Sequence, residues 1–100
     1  MTMARATLAA LFLLSATPVL AGDIAQGKKI AQRWCAACHV VAMDQTQASA
    51  DVPTFCDIAQ RKSGEQLKLF LIDPHPKMPD MSLTREEIAD IVAYIESLKP

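Results

Sequence analysis

The sequence predicts an all-α fold of three or four helices wrapped round something other than its own side chains. Three observations carry that prediction. No run of residues alternates polar and apolar in the manner of a half-buried strand. Two stretches carry a helix start signal, a hydroxyl residue followed three positions later by Gln or Glu: Ser63 with Gln66, and Thr84 with Glu87. Finally, a domain this small draws only about 3–5 kcal/mol from one apolar core, and such folds usually add a disulfide, a metal or a cofactor.

The domain is shorter than the 100-residue chain. Residues 1–21 hold one early charge, Arg5, then "ATLAALFLLSA", Pro18 and Val19-Leu20-Ala21, the order of a secretory leader cut after Ala21. The apolar run falls short of the ~20 residues that span a bilayer, and Pro18 interrupts it, so a retained membrane anchor is not expected. No cysteine follows the cut to take a lipid. Residues 22–100 then form a single exported domain, in a compartment where thiols tend to become bonded. Ten basic against eleven acidic residues leave a formal charge of −1. That balance offers no basic footprint for nucleic acid.

Within the domain, "DIAQGKKIAQRW" reads as a first helix, with Asp23 as N-cap and Ile24, Ile30, Ala31 and Trp34 as its apolar side. Gly27 inside it costs up to about 1 kcal/mol relative to alanine, which implies close contact with another helix. Residues 40–62 are expected as a polar loop that passes through a Pro53-Thr54-Phe55 turn into a short apolar segment. Ser63 opens the next helix, with Leu67, Phe70 and Leu71 on one face. Three prolines in "DPHPKMP" then exclude helical geometry. The last helix starts at Thr84, with Leu83 and Ile88 as a hydrophobic staple and Glu86 and Glu87 at the positive end of its dipole. Ile88, Ile91, Val92, Ile95 and Leu98 form its apolar stripe.

The chemistry sits in "RWCAACHV", which holds Cys35, Cys38 and His39. A thioredoxin-like redox pair would follow a strand in a βαβ setting, which this chain lacks. A zinc site needs four ligands, yet Cys56 and His75 stand singly, without a second close pair. A plain disulfide between residues so close at a helix end is strained and leaves His39 without a role. Covalent haem uses all three groups: two thiols bond the two vinyl groups, and the next residue, His39, binds the iron from below.

The opposite face of the iron then has several candidate ligands. Met43 lies only four residues beyond His39 and reads as a local packing residue. His75, Met78 and Met81 are far enough along to cross over. Pro79 forces Met78 out of helical geometry and Pro76 stiffens the approach, so Met78 is favoured, with Met81 as its rival. A structural role, lining a pocket, is the alternative for both.

"GKKIAQRWCAACH", "PTFCDIA", "MP" and "LTREEIADIVAYIESL", in this order and spacing, resemble the small monohaem class I cytochromes c of bacterial periplasms, over essentially all of residues 23–99. The resemblance implies the small cytochrome c fold with one covalent haem c. It also implies that Gly27 lets the first helix cross the last near Tyr94, that Pro53 offers its carbonyl to His39, and that Met78 is the distal ligand. Cys56 departs from the pattern, where small apolar residues are usual. It is expected to be a small buried residue beside Phe55 and Ile58, or else a disulfide link to a partner or a second copy.

With both axial positions filled the iron changes only its oxidation state, and a periplasmic one-electron carrier is expected rather than an enzyme. Two other readings stand beside it: a haem protein with a labile distal site that binds gases or peroxide, and a dedicated haem subunit of a periplasmic dehydrogenase or oxidase. Redox proteins are the expected partners, and Lys28, Lys29, Lys62 and Lys77 are candidates to steer an acidic one.

Overall fold

The computed structural model describes residues 22–48, 51–73 and 78–100. The leader read over residues 1–21, and His75, Pro76 and Lys77, lie outside the described residues. Four helices make up the domain: α1 (Ile24–Trp34), α2 (Phe55–Arg61), α3 (Gly64–Ile72) and α4 (Arg85–Ser97), and the described residues contain no strand. The all-α expectation therefore holds, and no helix among the described residues is long and apolar enough to cross a membrane.

Each helix begins where its cap chemistry places it. The Asp23 carboxylate accepts from the Gln26 amide at 3.1 Å and opens α1. Thr54 does the same for α2 through the Asp57 amide, also at 3.1 Å. Full capping boxes open α3 and α4. Ser63 and Gln66 exchange hydrogen bonds of 2.9 and 3.2 Å, and Thr84 and Glu87 exchange bonds of 3.0 and 3.1 Å. Each such cap is worth about 1 kcal/mol, because it satisfies amides that the first helical turn leaves without partners.

Helix α2 corrects the expected loop over residues 40–62. Seven residues are too few for a 3.6-residue period to show in the sequence, and the Thr54 cap together with burial of Phe55 and Ala59 makes this segment helical.

Helix α4 is the hub, with α1, α2 and α3 all packed on it. Its buried Ile88, Ile91, Val92, Tyr94 and Ile95 join Ile30, Ala31, Phe55, Ala59 and Leu67 in one core. A Cβ at Gly27 would fall inside the Asp90 carbonyl group and 2.9 Å from Tyr94 Cβ, so only glycine permits this approach of α1 to α4. Gly22 packs in the same way. A Cβ there would strike the Ala89 carbonyl, its φ of +48° lies in the left-handed region, and the next amide, of Asp23, donates to Asp90 Oδ1 at 2.7 Å.

The ends of the expected α1 face depart from prediction. Ile30 and Ala31 are buried, but Ile24 and Trp34, the first and last residues of α1, are about half exposed (52% and 48%). Crossing helices touch over a limited length centred on their closest approach, which here is Gly27. The Arg33 guanidinium lies 5.0 Å from the Trp34 ring and covers part of it.

Tyr94 links the hub to the loop after the cysteine motif. Its hydroxyl donates to the Val41 carbonyl at 2.5 Å, and burial, with Asp44 and Cys56 adding, raises its pKa above the ordinary 10. Tyr94→Phe is expected to remove about 1–2 kcal/mol, since it leaves the Val41 carbonyl without a donor. The raised pKa fixes the pH dependence: the stability is fully present below the unfolded-state value near 10 and declines as pH rises beyond it. Denaturant titrations at pH 7 and above 10 check both points, and Tyr94→Phe should lack the alkaline decline that this residue causes.

Candidate functional site

The cysteine motif is a tight turn that continues from the end of α1. The Cys35 amide closes the helix on the Ala31 carbonyl at 2.8 Å. The Cys35 carbonyl then accepts from both the Cys38 amide (3.2 Å) and the His39 amide (2.9 Å). One oxygen thus gathers the three residues of the motif. No disulfide joins Cys35, Cys38 or Cys56.

Cys35 is buried and Cys38 exposed. Burial, with the neighbouring Cys38 adding, pushes the Cys35 thiol up to about 11. A redox dithiol depends on the opposite, a lowered pKa that yields thiolate at neutral pH. Among the described residues, no group of three or more His, Cys, Asp and Glu is placed to hold a metal ion, so they assemble no zinc-type site.

His39 is held from outside its own turn. Its Nδ1 donates to the Pro53 carbonyl at 2.6 Å, and its ring packs tilted on Phe55 at 5.5 Å between centroids. The backbone explains why Pro53 arrives there. The Phe55 amide donates to the Val40 carbonyl at 2.9 Å, which ties the start of α2 to the residue after His39. Thr54 is the cap of α2, so Pro53 lies just outside the helix and its carbonyl is free to accept from an imidazole. With the proton on Nδ1, Nε2 presents a lone pair, and it makes no hydrogen bond among the described residues.

Several apolar side chains stay uncovered by protein: Trp34, Val52, Leu69, Phe70 and Ile72 are all exposed. The face expected on α3 is only partly used, with Leu67 buried, Leu71 half-buried and Phe70 41% exposed. So much bare apolar surface on so small a domain fits a large apolar group supplied from outside the chain. A covalent haem is such a group, and the two thiols and the Nε2 of His39 are the side chains that would hold it.

Met78 and Met81 are both half-buried, and the structure does not separate them by burial. Between them and α4 the chain turns at Ser82, whose φ is +49° and whose amide donates to Asp80 Oδ1 at 2.9 Å. Met43 is 87% exposed, which corrects its reading as a packing residue. Val41 and Ala42 take the inward positions of that turn instead.

Cys56 is half-buried and borders a cavity of about 220 Å³ with Val41, Ala42, Met43, Thr54 and Leu98. Lys28 and Lys29 are exposed on α1, whereas Lys62 stands apart from them, beside Arg61 and Lys99 round an open cleft of about 580 Å³.

One residue escaped the sequence reading. Gln45 lies in a stretch that shows only as polar loop, yet its amide ties four segments together. Oε1 accepts from the Val41 amide at 2.9 Å, and Nε2 donates to the carbonyls of Ala36 (2.8 Å), His39 (2.8 Å) and Gln47 (3.0 Å). No motif or period marks such a residue, because its role depends on the loop closing back on the turn.

Comparison with known proteins identifies the family. The sequence profile of the family described as Cytochrome c matches residues 24–99. The chain is 54% identical over 88 residues to Cytochrome c-552 of Bradyrhizobium diazoefficiens, a match that covers 86% of this chain and 85% of that protein. No solved structure matches. The helices round α4, the cysteine-histidine turn and both sequence matches agree: the chain belongs to the cytochrome c family, whose members bind haem c covalently.

Proposed function

We propose that the protein is a one-electron carrier of the bacterial periplasm, with haem c bound through Cys35 and Cys38 and ligated by His39 and Met78. The observation that carries this reading is the hydrogen bond from His39 Nδ1 to the Pro53 carbonyl, which leaves Nε2 as a metal-binding lone pair beside two thiols. When bound, the haem supplies an iron centre that gains and loses single electrons.

Each residue has a separate task. Cys35 and Cys38 fix the group to the end of α1. Pro53 fixes the tautomer of His39 and makes its Nε2 a better donor, as carbonyl partners of ligating histidines do. Met78, kept out of helical geometry by Pro79, would offer a weak thioether as the second iron ligand, a pairing with histidine that raises the reduction potential. The Ala21 cleavage signal supports export, which brings the chain to the compartment of its redox partners. Cys56, half-buried, is foremost a packing residue, and a disulfide to a partner or a second copy is its alternative use. The exposed Lys28 and Lys29 favour partners with acidic surfaces, and that steering should weaken as salt is raised.

The test is optical. Protein exported from a host able to attach haem is expected to show a c-type reduced spectrum, a far-red methionine-to-iron band when oxidised, and no change with carbon monoxide. A reduced spectrum that shifts with carbon monoxide would instead place the protein among ligand binders with a labile distal site. Absence of covalent haem would refute the proposal.

A further inference from the structure

We propose that Gln45 is a positioning residue for His39, fixing the tilt of the imidazole through its backbone. The inference rests on the reading of His39 as an iron ligand, and its observation is independent of the bond to Pro53.

An imidazole swings about two single bonds from its Cα. The Pro53 carbonyl holds the far end of this lever, at Nδ1. That hold defines an orientation only if the near end is also fixed, and the near end sits in a loop between α1 and α2. Gln45 fixes it. Its Nε2 donates to the His39 carbonyl and to the Ala36 carbonyl, each at 2.8 Å, so it grips the motif on both sides of Cys38. Its Oε1 takes the Val41 amide, two residues beyond His39. The chain is thus held before, at and after the histidine by one planar group.

Only a glutamine side chain meets all these demands. Three carbonyl oxygens converge on its nitrogen, so the two N–H groups are fully used, one of them shared with Gln47. A flipped amide would set its oxygen against those carbonyls, so the partners themselves fix its orientation. Glutamate would place a negative carboxylate there, and asparagine is one methylene too short. Methionine copies the length and bulk of glutamine without the hydrogen bonds. Groups that hold a metal ligand from behind typically change metal affinity about 10–100-fold when removed.

The test compares haem-loaded wild type, Gln45→Met, Gln45→Ala and Thr84→Ala, the last of which weakens the fold at a distant helix cap. Ferric electron paramagnetic resonance and midpoint potential are read for each. The Gln45 variants are expected to show shifted or doubled low-spin signals and an altered potential, while Thr84→Ala keeps the wild-type values despite its lower stability. Failure of haem attachment in both Gln45 variants alone, with Thr84→Ala fully loaded, supports the same role. Wild-type spectra and potential in Gln45→Met would overturn it and reduce Gln45 to a loop fastener. A wild-type chain that matures without haem overturns this inference and the proposed function together, and that result is distinct because it shows in the wild type itself.

Discussion

Gly27→Ala is expected to remove about 3 kcal/mol or more of stability, and the fraction of chains that acquire haem during maturation should fall with it. The new Cβ would occupy the Asp90 carbonyl group and press on Tyr94 Cβ at 2.9 Å. Neither obstacle can swing aside, because one is helix backbone and the other is the first atom of a buried side chain. Helix α1 must therefore back away from α4, which uncovers Ile30 and Ala31 and loosens the turn that carries Cys35, Cys38 and His39. Gly64→Ala provides the contrast. There the Cβ meets Glu96 Oε1, the tip of an exposed and flexible side chain, and the substitution gains up to about 1 kcal/mol of helix propensity. Denaturant midpoints followed by Trp34 fluorescence should separate the two variants widely. Equal midpoints would show that the α1–α4 approach is not the constraint described.

Met78→Ala is the second large effect expected. It should abolish the far-red band of the oxidised protein, lower the midpoint potential, and turn a protein inert to carbon monoxide into one that binds it fully when reduced. Met81→Ala should leave all three properties unchanged. The reverse pattern would transfer the distal role to Met81, which is equally half-buried. Loss of the band in neither variant would remove methionine ligation from the proposal altogether.

The parts of this molecule that were legible in the sequence are those whose physics is local. A capping box is a contact between residues three apart, so Ser63 with Gln66 and Thr84 with Glu87 announce their helices without help from the rest of the chain. Gly27 was legible for a related reason, since its cost inside a helix demands a compensating contact, and the structure places Asp90 and Tyr94 there. Helix α2 was not legible, because its stability comes from burying Phe55 and Ala59 under other elements rather than from any pattern within seven residues. Gln45 was hidden more deeply. Its four partners lie between two and nine residues away, and only the folded loop brings them to one amide. Ile24 was misjudged because periodicity indicates which side of a helix is apolar but not how far along the helix that side is covered.

Gly22 bears on how this protein can be made and altered. With the proposed cut after Ala21, the small residues before the cut are the protease's signal, and Gly22 after it belongs to the fold. Gly22 turns with φ +48° against the Ala89 carbonyl, where any side chain would collide. Position 22 is thus as restricted as any in the core. An affinity tag or reporter joined ahead of it must keep glycine at this position, while Lys99 and Pro100 at the other end are exposed. Under that proposed cleavage, a leader borrowed from another protein would need to leave this glycine in place for the seam between α1 and α4 to stay intact.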